Sequence, residues 1–188
     1  MRSILAAPLA IALLAALPAL AAEPTACPAE NYRVLRSNGP ATTHDGIFPG
    51  IPELCHQIRG TDPGYYYYGV WKMDWPGAGE AYPAIKQVVT GPKGTRTDFV
   101  TRALPGWQWV DSFINEGIEP LTVDGRTYRT LRLAHERAGF DGNTYHSIIT
   151  SWRDLATGLT LKTVETQISG QSYGPNTTWQ AVKVERLP

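Results

Sequence analysis

The sequence predicts an all-β or β-dominated fold, a single curved antiparallel sheet of half-barrel or barrel-like form. Fifteen prolines and eighteen glycines interrupt the chain at short intervals, which argues against long helices. The segments between them are rich in Val, Ile, Thr, Tyr and Trp, residues that pack well on a pleated surface. No stretch reads as a three-turn amphipathic helix.

Taken in order, strands are expected over Tyr32–Arg36, Tyr65–Lys72, Ala84–Thr90, Thr95–Ala103, Trp107–Phe113, Thr127–Glu136, Thr144–Arg153, Leu159–Gln167 and Thr177–Leu187. Thr90-Gly91-Pro92-Lys93-Gly94 should turn one pair and Gly139-Phe140-Asp141-Gly142 another. Gly158 closes a short loop with the positive φ that a bulged hairpin requires. The last four strands thus form an antiparallel meander. Ser37 to Pro63 is crowded with Gly, Pro, Thr and Asp, so an irregular segment is expected there. A short helix is allowed between Phe113 and Glu119, or after the first strand.

Residues 1–22 read as a secretory signal peptide. Arg2 precedes an apolar run from Ile4 to Leu20, and Ala19-Leu20-Ala21 supplies the small-x-small exit. Cleavage would leave residues 23–188 as a single β-rich domain, periplasmic or secreted. Cys27 lies too far from the cleavage motif for a lipid anchor, and no second long apolar segment follows, so no membrane span is expected. The chain carries 17 basic and 17 acidic residues, a balance that provides no electrostatic reason to bind nucleic acid. Cys27 and Cys55 are the only cysteines, and in an oxidising compartment they should pair, pinning the N-terminal segment to the body of the domain.

Ser151-Trp152-Arg153-Asp154-Leu155-Ala156-Thr157-Gly158-Leu159-Thr160-Leu161-Lys162 resembles a hairpin of exported bacterial β-proteins. In them an aromatic-ending strand enters an Asp-x-x-Thr-Gly turn and leaves through Leu-x-Leu-Lys. The segment Leu121 to Tyr128 is similar to the lead-in of such sheets. Lipoprotein carriers of the LolA/LolB-like half-barrel type, and related periplasmic families, share these features. The resemblance covers about a third of the chain and implies a curved sheet with an apolar concave face, hence binding rather than catalysis. The long helices that plug such half-barrels have no counterpart in the N-terminal half.

Aromatic residues supply the candidate ligand site. Trp107 and Trp109 are two apart, so in a strand they share a face. Tyr66 and Tyr68 likewise share one face of the tyrosine run, followed by Trp71. No metal site is expected beyond one candidate pair, His135 and His146. A turn centred between Phe140 and Asp141 would set them opposite each other, with Cβ atoms about 5 Å apart. No cofactor is expected, and catalytic residues remain unassigned. There is no Gly-x-Ser-x-Gly elbow, and Pro76-Gly77-Ala78-Gly79-Glu80 reads as lacking the helix a phosphate loop needs. The leading expectation is a non-enzymatic envelope binding protein for an apolar or aromatic-stacking ligand, such as a lipid. One alternative is an exported hydrolase, which requires some of His44, His56, Asp45, Asp98, Asp111 and Glu136 to converge. The other is a protein–protein interaction module of the envelope.

Overall fold

A computed structural model describes residues 24–105, 107–170 and 178–188; the expected signal peptide lies outside them. In chain order the elements are β1 (Tyr32–Arg36), β2 (Thr42–Phe48), β3 (Ile51–Arg59), β4 (Asp62–Tyr67), β5 (Trp71–Lys72), α1 (Ala78–Thr90), β6 (Arg96–Leu104), β7 (Trp107–Val123), β8 (Arg126–Gly139), β9 (His146–Asp154), β10 (Thr160–Ser169) and β11 (Trp179–Arg186). The strands form one antiparallel sheet in the order β5-β4-β3-β2-β1-β11-β10-β9-β8-β7-β6. The expected curved sheet and the meander of β8 to β11 are both present.

The curvature follows from who touches whom. Trp71 on edge strand β5 meets Phe99 of β6, Phe113 of β7 and His135 of β8 at ring-centroid distances of 5.5, 6.1 and 5.5 Å. The sheet therefore rolls until its two ends face one another, yet β5 and β6 are not hydrogen-bonded. Helix α1 lies in this gap, burying Ala81, Ala84, Ile85, Val88 and Val89. With Tyr68, Trp71, Phe113, Leu131 and Leu133 these residues form the main core. Covering both sheet ends with a helix also shields them from pairing with other chains. A second core, of Val34, Val123, Tyr128, Leu159, Leu161 and Ala181, forms where the far end of the β7–β8 hairpin reaches β1, β10 and β11.

Several expectations need correction. The helix occupies Ala84–Thr90, where a strand was expected, and its spacing of 81, 84, 85, 88 and 89 is a full helical stripe. Pro83 inside it and the β-branched Val88 and Val89 disguise the pattern, since both features speak against helix. The helix does follow Gly77, its N-cap, and takes in Gly79, and the Thr90–Gly94 turn joins α1 to β6 rather than two strands. The segment from Ser37 to Pro63 is mostly strand, β2 and β3, whose inward positions Thr42, His44, Gln57 and Arg59 are polar. Polar residues on the inner face erase the apolar alternation by which a strand is recognised. Tyr65–Lys72 is two strands with a turn at Tyr68 and Gly69, where φ is 49° and 72°. Finally, Phe113–Glu119 is no helix but the middle of β7, with a bulge between Asn115 and Gly117.

Cys27 and Cys55 are joined, tying the irregular segment ahead of β1 to the inner face of β3. With 28 residues of separation, reducing the bridge should cost about 3.6 kcal/mol on the chain-entropy model. Urea unfolding with and without reductant measures this; a midpoint unchanged by reduction would contradict it. No helix among the described residues is long and apolar enough to cross a membrane.

Candidate functional site

The aromatic residues occupy the rolled end of the sheet. Tyr66, Tyr68 and Trp71 are fully buried, and Trp109 is 6% exposed. Trp107 is 42% exposed and meets Trp109 edge-on at 5.9 Å, so the two do lie side by side. Four of the five candidates are thus packed in the interior, and Trp107 alone presents a large surface outward.

At the centre of this nest lies a charged group that the sequence did not single out as a unit. Asp111 is wholly buried and accepts hydrogen bonds from Thr101 Oγ1 at 2.5 Å, His135 Nε2 at 2.7 Å and Arg137 Nε at 2.7 Å. Burial would raise its pKa, but His135 and Arg137 override that and hold it at about 2. Burial lowers His135 despite Asp111 beside it, so the imidazole is neutral at pH 7 and donates through Nε2. The Arg137 guanidinium sits over both Trp71 and Trp109, 5.2 and 5.0 Å from their ring centroids. These contacts arise because Asp111 pairs with Arg137, and Phe113 with His135, across the β7–β8 ladder. Paired side chains share a face.

The two histidines proposed as a metal pair do not meet. The β8–β9 register sets His135 against Ile149 and His146 against Ala138, three residues from the expected pairing. An odd shift reverses the face. His135 points inward, whereas His146 bonds Glu136 at 3.0 Å on the convex side. Among the described residues no three His, Cys, Asp or Glu side chains gather as metal ligands.

The hydrolase candidates separate into four places. Asp45 pairs with His56 on β2 and β3. Asp98 and Glu136 are bridged by Arg96, at 2.9 and 3.5 Å, on the convex face of β6 to β8. Asp111 is in the aromatic nest, and His44 is buried elsewhere on the inner face. No nucleophile, base and orienting acid line up in one cleft among them.

Two other features fit a ligand better. The first is a cleft of about 340 Å³ between the C-terminal end of α1 and the β7–β8 hairpin. Val89, Pro92, Ile118, Leu131 and Leu155 supply apolar walls, with Lys93 and Arg129 among them. Asn115 fixes this wall: its Nδ2 donates to the carbonyls of Val88 and Gly91, satisfying acceptors that the helix end leaves open. The second is a group of inward-facing cations, Arg36, Arg59 and Arg153, around His44. Burial, followed by the charges of Arg59, Arg36 and Arg153, pushes His44 down to about 3. Burial likewise lowers Arg36 and Arg153 to about 10, leaving both charged at pH 7. Sequence reading missed this group because its members come from β1, β2, β3 and β9. Only the registers bring them together.

No family model matches the chain, and neither the curated proteins nor the solved structures yield a match to it.

Proposed function

We propose that the chain is an exported, non-enzymatic binding protein of the periplasm or extracellular space, whose ligand has an apolar or aromatic body. The observation that carries this is the apolar cleft beside α1. Its volume lies in the range of small-molecule sites, and its walls are chiefly hydrophobic with a few polar groups. The cleft sits between a helix and a rolled sheet, two rigid elements that hold a binding surface in place. Ile118, 50% exposed, forms an apolar wall open to a ligand. The Cys27–Cys55 bridge is compatible with an oxidising compartment. A hydrolytic role draws no comparable support, because its candidate residues lie apart.

Titration of the full chain with a fluorescent naphthylamine probe, displaced by a fatty acid, tests the reading. Saturable binding is expected. Ile118→Asp, placed on a half-exposed wall, should weaken it about tenfold, as loss of part of one apolar contact and gain of a charge imply. Absence of saturable binding, or binding indifferent to I118D, would contradict it.

A further inference from the structure

The inner face of β1 to β3 and of β9 holds three guanidinium groups without a carboxylate. Arg153 is 2% exposed and donates only to the carbonyls of Ala26 and Gly158, at 2.8 and 3.1 Å. Arg59 donates to Gln57 Oε1 at 3.2 Å and to the Gly69 carbonyl at 3.4 Å, and stacks on Tyr66 at 4.0 Å. Arg36 is half-buried, donates to Thr42 Oγ1 and lies 4.2 Å over Trp179. Every ion pair among the described residues lies elsewhere.

Four buried polar atoms of this neighbourhood have no partner at all: Arg36 Nε, Arg153 Nε, His44 Nδ1 and Thr160 Oγ1. They are linked through shared neighbours. Thr42, the acceptor for Arg36, is the ladder partner of Arg59, and His44 is that of Gln57. Thr160 is the ladder partner of Arg153. Gly69 closes the circle. A Cβ built there would stand 2.8 Å from Gln57 Nε2 and 3.9 Å from Thr160 Oγ1.

A buried charge costs several kcal/mol unless it is paired. Cations alone, with orphaned hydrogen-bonding atoms among them, form a site that is complete only with an anion rich in acceptors. We infer that Arg36, His44, Arg59, Arg153 and Thr160 bind an oxyanion, a carboxylate or phosphate group, which enters past Arg36. The planar fork of arginine matches both groups, and Arg36, like Arg59, is partly exposed, whereas Arg153 is buried. This goes beyond the apolar-ligand reading and does not depend on it.

Thermal unfolding of the full chain with its disulfide intact tests the inference, at constant ionic strength set with chloride. Inorganic phosphate, acetate, dodecanoate, dodecyl phosphate and the neutral dodecyl maltoside are the probes. Oxyanion-bearing probes should raise Tm saturably, by several degrees at about a hundred times Kd. Arg36→Gln should weaken that response about tenfold or more while leaving the ligand-free Tm unchanged or higher. Arg59→Met should do the same and serves as the second variant if R36Q does not fold.

If phosphate or acetate acts alone, the natural ligand is a free oxyanion. If only the charged dodecyl compounds act, it is the head of an amphiphile. Either supports the inference. If dodecyl maltoside raises Tm as much as they do and R36Q changes nothing, the oxyanion site is overturned and the apolar cleft stands. If phosphate acts and no dodecyl compound adds to it, the reverse holds. Silence from every probe overturns both.

Discussion

Asp111→Ala is expected to destabilise the fold by about 3–5 kcal/mol, the cost of leaving a buried charge without its partner. Asp111 has no exposed surface and receives hydrogen bonds from three side chains on two neighbouring strands, Thr101 of β6 and His135 and Arg137 of β8. Removing it strands Arg137 between the Trp71 and Trp109 rings with no counter-ion. It also removes the Asp111 hydrogen bond of His135, whose ring stacks on Phe113 at 4.5 Å. Urea denaturation followed by tryptophan fluorescence should show a lower midpoint with an unchanged m-value. Arg137→Met in the same background should recover part of the loss, because it removes the orphaned charge. A loss below about 1 kcal/mol would mean that Asp111 is not held as described.

Stability should fall as the pH drops from 6.5 towards 3, chiefly through His44. The folded chain holds this residue down to about 3, because burial and the Arg59, Arg36 and Arg153 charges all disfavour the protonated ring. In the unfolded chain it titrates near the ordinary value of about 6.5. Between those limits the unfolded state binds a proton that the folded state does not. Stability is therefore fully present above pH 6.5 and is lost progressively below it, by about 5 kcal/mol in total. His135, also lowered by burial, adds to the loss in the same direction. Asp111, at about 2 when folded, adds a further loss only below pH 4. Unfolding free energy measured from pH 8 to 4 should flatten substantially in His44→Gln. A variant profile that overlays the wild type would place the acid sensitivity elsewhere.

What the sequence revealed and what it hid divide along physical lines. The C-terminal meander was readable because apolar and β-branched residues alternate along β8 to β10. The disulfide was readable because the chain has two cysteines, which leave one pairing. Strands β2 and β3 were not readable, because their inward positions include Thr42, His44, Gln57 and Arg59, and those same residues build the cation cluster. The local signal was missing where the candidate site is. Helix α1 was hidden by Pro83 despite a regular stripe of buried positions. The Asp124-Gly125 pair carries a hairpin signal of its own. Its φ values of 47° and 73° are those of a two-residue hairpin turn, and it explains why β7 runs on to Val123. The histidine pair failed on register, since a longer β8–β9 loop moved His146 three places and onto the other face.

Native mass spectrometry of the protein, purified without denaturant from the cells that make it, tests the central claim most directly. The expected result is a species heavier than the bare chain by a bound small molecule, released on denaturation, that carries an apolar body, an oxyanion group, or both. A bare-chain mass that also stays unchanged after incubation with dodecanoate and with dodecyl phosphate would contradict it.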